Sequence, residues 1–163
     1  MNKFIQVVDG VSEYSGRLVA YLIIPLILTI VYSILVRYFL NIVVDWAFEM
    51  SIFMYGIMVM TGGAYTLKYK SHVRVDVLMH YIGPAMNRRL DIISFLVIIF
   101  VCVMLTYFGG KAAWASTLRL EYSSLQTPFN PQIWWYKWFI PLSASLIGLQ
   151  ALVECMRTIK NKD

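Results

Sequence analysis

One carboxylate in this chain sits where a charge is costly. Glu49 lies in the run DWAFEMSIFMYGIMVM, residues 45–60, and a charge at the centre of a bilayer costs about 2.5–3.5 kcal/mol on insertion scales, so such a residue faces water or a partner. It could carry a proton or a cation. It could equally be a helix-terminal acid that gains from the helix N-terminus and pairs with Arg37 or with a cation on another protein. Glu49 follows Asp45 by four residues, which is about one helical turn from the start of the run, and this shallow depth favours the second role.

The other residues capable of chemistry cluster in GGAYTLKYKSHVRVDVL, residues 62–78, where an apolar helix gives way to Lys68, Lys70, His72, Arg74 and Asp76. His72 and His80 are eight residues apart and no histidine falls inside an apolar stretch. A membrane haem takes its axial ligands from within the helix bundle, so both histidines read as solvated or interfacial. Cys102 and Cys155 occupy different apolar stretches without C-x-x-C or zinc spacing, and read as small apolar fillers. Neither a phosphate-binding glycine loop nor a nucleophile with its base is visible, so the sequence predicts no enzyme, no metal and no cofactor.

The elements that must position these residues follow from composition. The chain has 163 residues, 60% of them hydrophobic and 14% charged, with mean hydropathy +0.66, which is the profile of a membrane protein. Four apolar stretches, 18–40, 46–67, 90–108 and 134–153, are each close to the ~20 residues that cross a ~30 Å hydrocarbon layer. Backbone groups in lipid must be satisfied internally, so the stretches are helices, and they lack the alternation of barrel strands. The expected fold is an all-α membrane protein, a single four-helix domain over 1–163 with interfacial amphipathic helices beside the spans.

Charge orients the bundle. Lys3 and Arg17 in the leader, Lys68, Lys70, Arg74, Arg88 and Arg89 in the middle connection, and Arg157, Lys160 and Lys162 in the tail outnumber Arg37, Lys111, Arg119 and Lys137 on the other side. Both termini and the middle connection are therefore expected in the cytoplasm. The net charge of +5 reflects this topology and contact with membrane lipids, and no nucleic-acid groove is visible. The leader is a poor secretory signal and reads as a surface helix with Phe4, Val7, Val8 and Val11 on one side and Lys3 and Asp9 on the other. A second interfacial helix is expected over 73–81, ending near Gly83-Pro84.

Past the third span, Gly109-Gly110 offers a bend, and Trp114, Leu118, Tyr122 and Leu125 can share one face of an amphipathic extension. Trp134, Trp135 and Trp138 read as interfacial anchors where the last span enters. Gly62 and Gly63, with Gly56 before them, permit close helix approach. Pro25 and Pro141 lie inside apolar stretches and predict kinks or early-turn positions.

Four groups of residues then resemble one family. They are RYFLN at 37–41, DWAFEMS at 45–51, GGAYTLKYKSHVRVDVL at 62–78 and WYKWFIPLSASLIGLQAL at 135–152, in order along most of the chain. The pattern is similar to the small membrane subunit, DctQ type, of tripartite ATP-independent periplasmic (TRAP) transporters. The resemblance implies a bacterial or archaeal inner-membrane protein that partners a large multi-span subunit served by a periplasmic substrate-binding protein. Uptake would be of a small organic acid, driven by a sodium gradient, with substrate and cation sites on the large subunit and the small one bracing it. Arg37, Glu49, Gly62, Gly63, His72, Arg74, Asp76 and Pro141 are the interface or structural candidates, with Arg74 and Asp76 setting a corner that His72 caps. Some relatives carry two adjacent acids where this chain has Phe48-Glu49. The competing readings are a membrane anchor of a respiratory oxidoreductase and a stand-alone exporter working through Glu49.

Overall fold

The computed structural model describes residues 2–69, 84–124 and 128–160. Along them run α1 (Asn2–Ala20), α2 (Ile23–Leu40), α3 (Asp45–Lys68), α4 (Pro84–Arg119), α5 (Trp134–Lys137) and α6 (Phe139–Lys160). Four segments are long and apolar enough to cross a membrane: Lys3–Leu40, Asp45–Lys68, Met86–Arg119 and Trp134–Lys160. Each contains one of the four stretches expected from hydropathy. The surface helix expected over 73–81, with Lys70, His72, Arg74, Asp76 and His80, lies outside the described residues.

Both prolines occupy early-turn positions. Pro25 and Pro141 are the third residues of α2 and α6, where the missing N–H would have no intrahelical acceptor anyway. The proline ring clashes with the carbonyl four residues earlier, which here belongs to Tyr21 and Lys137. The chain breaks at those points: Tyr21-Leu22 form a turn between α1 and α2, and Trp138 separates α5 from α6.

At Gly109-Gly110, where a bend is expected, the helix does not break: α4 is one continuous helix of 36 residues, about 54 Å long at 1.5 Å per residue. Each glycine costs a helix interior about 1 kcal/mol relative to alanine, and packing offsets that cost at Gly109. A Cβ there would lie 3.1 Å from Ile140 Cγ2, so the missing side chain lets α6 approach. The extension carrying Trp114 and Leu118 thus continues the helix of the span, which ends at Arg119, before Tyr122, where Leu120 takes a left-handed φ of 47°.

The core gathers around α6, which packs against α4, α3 and α1. Leu67, Phe95, Ala151 and Cys155 form its centre, with Ile92, Ile98, Ile99 and Ile147 packed against them. Cys102 lies against Gly148, so both cysteines serve as buried apolar filling. In contrast, α2 leans chiefly on α3 and buries only Leu26. The outer faces of α2 and α4 expose long rows of apolar side chains, the surface expected of helices that meet lipid or another membrane protein.

Candidate functional site

Among the described residues, the densest gathering of ionisable groups lies where α1 meets the ends of α3 and α6. Asp9, Ser12 and Glu13 fall at i, i+3 and i+4 on one face of α1, while Gln150, Glu154 and Arg157 fall at i, i+4 and i+7 on α6. Gln150, fully buried, accepts a hydrogen bond from Ser12 Oγ at 2.8 Å and donates one from Nε2 to Asp9 Oδ1 at 3.1 Å. Arg157 bridges two carboxylates, donating from Nη2 to Asp9 and from Nη1 to Glu154 Oε1 at 2.5 Å. From α3, Lys68 Nζ donates to Glu13 Oε2 at 2.7 Å and to the Asp9 carbonyl at 3.1 Å. Arg17 pairs with Glu13 from the outer side. A guanidinium shared between two acids satisfies charges that would otherwise be expensive to bury.

This arrangement reverses part of the leader's expected amphipathicity. Asp9 turns inward to α6, whereas Phe4, Val7 and Val11 are exposed together with Tyr14 and Leu18; Val8 alone of the predicted apolar face is buried. Gly16 makes the inward approach possible, since a Cβ there would stand 2.5 Å from Tyr65. Sequence reasoning missed Gln150 and Glu154. Their signal was the seven-residue polar stripe 150-154-157 at the end of an apolar run, matching a second stripe in the leader.

At the other end of the bundle, Glu49 is completely buried on α3. It shares a stripe with Phe53 and Gly56, at i+4 and i+7. Phe53 packs its ring 5.5 Å from Trp135 and 5.0 Å from Tyr136. The Tyr136 hydroxyl occupies the space that any side chain at residue 56 would need. Arg37 is exposed on the last turn of α2 and forms no ion pair among the described residues, so the expected pairing with Glu49 is not made.

The tryptophans expected as anchors are engaged within the chain. Trp134 Nε1 donates to Gln132 Oε1 at 3.1 Å, Trp138 Nε1 donates to Thr117 Oγ1 at 3.0 Å, and Trp135 lies edge-on to Phe139. They brace a loop closed by Ser123 N–H to the Pro131 carbonyl, 2.8 Å, and Ile133 N–H to the Glu121 carbonyl, 2.9 Å. Lys137 Nζ lies 2.5 Å from Glu121 Oε2, and this ammonium holds the Glu121 carboxyl below the usual carboxylate range. Of the paired glycines, Gly63 admits Ile147, whose Cδ1 would stand 2.8 Å from a Cβ, whereas a Cβ on Gly62 would meet nothing within 4 Å. Pro141 is buried beside Gly109.

Residues 26–161 match the family described as tripartite ATP-independent periplasmic transporters, DctQ component. The chain belongs to the DctQ family. That family is a transporter component family and not an enzyme family, and the four long apolar helices make the chain a multi-pass membrane protein. A similar protein is the C4-dicarboxylate TRAP transporter small permease protein DctQ of Vibrio cholerae serotype O1 (strain ATCC 39315 / El Tor Inaba N16961), 33% identical over 85 residues. That match covers 52% of this DctQ chain and 35% of the relative. The family match starts within α2, so the α1 half of the polar cluster precedes it while Gln150, Glu154 and Arg157 fall inside it.

Proposed function

We propose that this DctQ chain braces the large multi-span TRAP subunit in the bacterial or archaeal inner membrane while that subunit takes up a small organic acid, delivered by a periplasmic binding protein, in uptake driven by a sodium gradient. The observation that carries this reading is the internal pairing of the charges between α1, α3 and α6. Asp9, Glu13 and Glu154 are matched by Lys68 and Arg157, so the cluster ties three helices into a rigid body and offers its charges to one another before any solute. Rigidity is what a brace requires, because a scaffold that yielded with its partner would not oppose the movement.

The same cluster brings the N-terminal and C-terminal helices to one end of the bundle. Lys68, Arg88, Arg157 and Lys160 gather there, and this basic end lies in the cytoplasm. Among the candidates on α3, Gly62 has open space beside it and meets the large subunit, whereas Glu49 is buried within this chain. His72, Arg74 and Asp76 lie outside the described residues; Asp76→Lys should weaken assembly with the large subunit while insertion into the membrane persists.

Reconstitution tests the brace directly. The large subunit and the binding protein are placed in proteoliposomes with an inward sodium gradient, and uptake of labelled organic acids, beginning with a C4-dicarboxylate, is followed with and without this chain. Uptake should require the chain. Equal uptake by the large subunit alone would reject the role.

A further inference from the structure

The weakly packed side of the bundle carries a groove of about 370 Å³ between α2 and α3. Leu26, Ile30 and Ile34 line one wall, and Ala47, Ser51 and Tyr55 line the other. Its lining is apolar in effect, because the Ser51 hydroxyl donates to the Ala47 carbonyl of its own helix at 2.7 Å. From Leu26 to Ile34 it runs about 12 Å along the helix axis.

A cation stands at one end. Arg37 follows Ile30 and Ile34 at i+7 and i+3, which puts it on the groove's own stripe, about 4.5 Å beyond Ile34 and toward the membrane surface. It is exposed and has no ion-pair partner among the described residues. Across the same region, the Tyr32 and Trp46 rings meet at 5.8 Å and join α2 to α3. An apolar channel two turns long that ends in an exposed guanidinium matches a molecule with a flexible hydrocarbon tail and an anionic head.

We propose that the α2–α3 groove is a phospholipid site, with one acyl chain lying between Leu26 and Ile34 and the phosphate on Arg37. The lipid fills the gap left because α2 leans chiefly on α3, and so completes the packing of the first span. This site does not depend on the bracing role. It concerns only how this chain meets the membrane.

The test uses the full chain, with whatever polypeptides co-purify, in nanodiscs of phosphatidylethanolamine and phosphatidylglycerol that contain a phospholipid with a diazirine in its acyl chain. After photolysis, adducts are mapped by peptide mass spectrometry. They should concentrate on 26–37 and 47–55, several-fold above the equally exposed face of α4 at Val97, Phe100 and Val101. Arg37→Glu, at an exposed position that leaves folding intact, should lower that yield several-fold, and Ser51→Leu, which fills the groove, should do the same. Even labelling of all four spans, or a yield unchanged in Arg37→Glu, would overturn the site. So would a groove shielded from label by a second copy of this chain or by a helix of another subunit.

Discussion

Gln150 holds two groups of α1 at once, accepting from Ser12 and donating to Asp9. Gln150→Leu would leave both facing an apolar side chain, and each buried polar group stripped of its partner costs about 1–3 kcal/mol. The variant should therefore lower the thermal midpoint in detergent clearly. Ser145→Ala should leave it within error, because that exposed hydroxyl bonds only its own helix at Leu142. Equal midpoints for the two would show that the cluster contributes no stability. Glu121 offers a pH test. Its folded-state carboxyl is held low by Lys137, so the contribution is present above the ordinary carboxylate range and is lost as pH falls through the lowered value. The fluorescence of neighbouring Trp138 should report loosening of the loop on that acidic limb, and Glu121→Gln should remove the difference between neutral and acid. At this scale the sequence made Glu49, Gly63 and the tryptophans legible, since each stands out from its run by type. Gln150 and Glu154 did not stand out, because their meaning depends on a helix 138 residues away.

Among the elements, α1 depends most on charge. Asp9→Arg alone should release it from α6 by placing two cations together, and Arg157→Asp should do the same. The combined reversal should recover part of the loss, with a coupling of about 0.5–3 kcal/mol; limited proteolysis within α1 reports the release. No recovery in the double variant would mean that the two side chains do not interact. For the prolines, position predicts mildness. An interior helix proline changes stability by about 3 kcal/mol, whereas Pro25→Ala and Pro141→Ala act at first turns and should shift the midpoint only slightly. A large loss of stability at either would imply a kink that the helix boundaries do not contain. Hydropathy located α3 at 46–67 against the observed Asp45–Lys68, because an apolar run bounded by Asp45 and Lys68 leaves little freedom. It underestimated α4, since Gly109-Gly110 looks like a bend until α6 is seen lying against Gly109. The facing of α1 was also hidden. An isolated amphipathic leader is expected to turn its charges to water, and only the acids and cations of other helices reverse that preference.

For the whole molecule, the fold places both chain ends at one end of a four-span bundle and joins them through Asp9 and Arg157. Single cysteines near residue 2 and at 160 should react with an impermeant maleimide only after the cytoplasmic face is opened, whereas one at 129, in the loop before α5, should react in intact cells. The opposite pattern would invert the bundle without altering its packing. The exposed apolar faces of α2 and α4, beside the paired charges that join α1, α3 and α6, describe a scaffold that acts through what it holds. The most direct measurement is affinity purification of this chain from its native membranes in mild detergent, with the stoichiometry of every retained polypeptide determined. The account predicts one large multi-span membrane protein at near-equal amount. Recovery of the chain alone, or with a soluble redox enzyme, would contradict it.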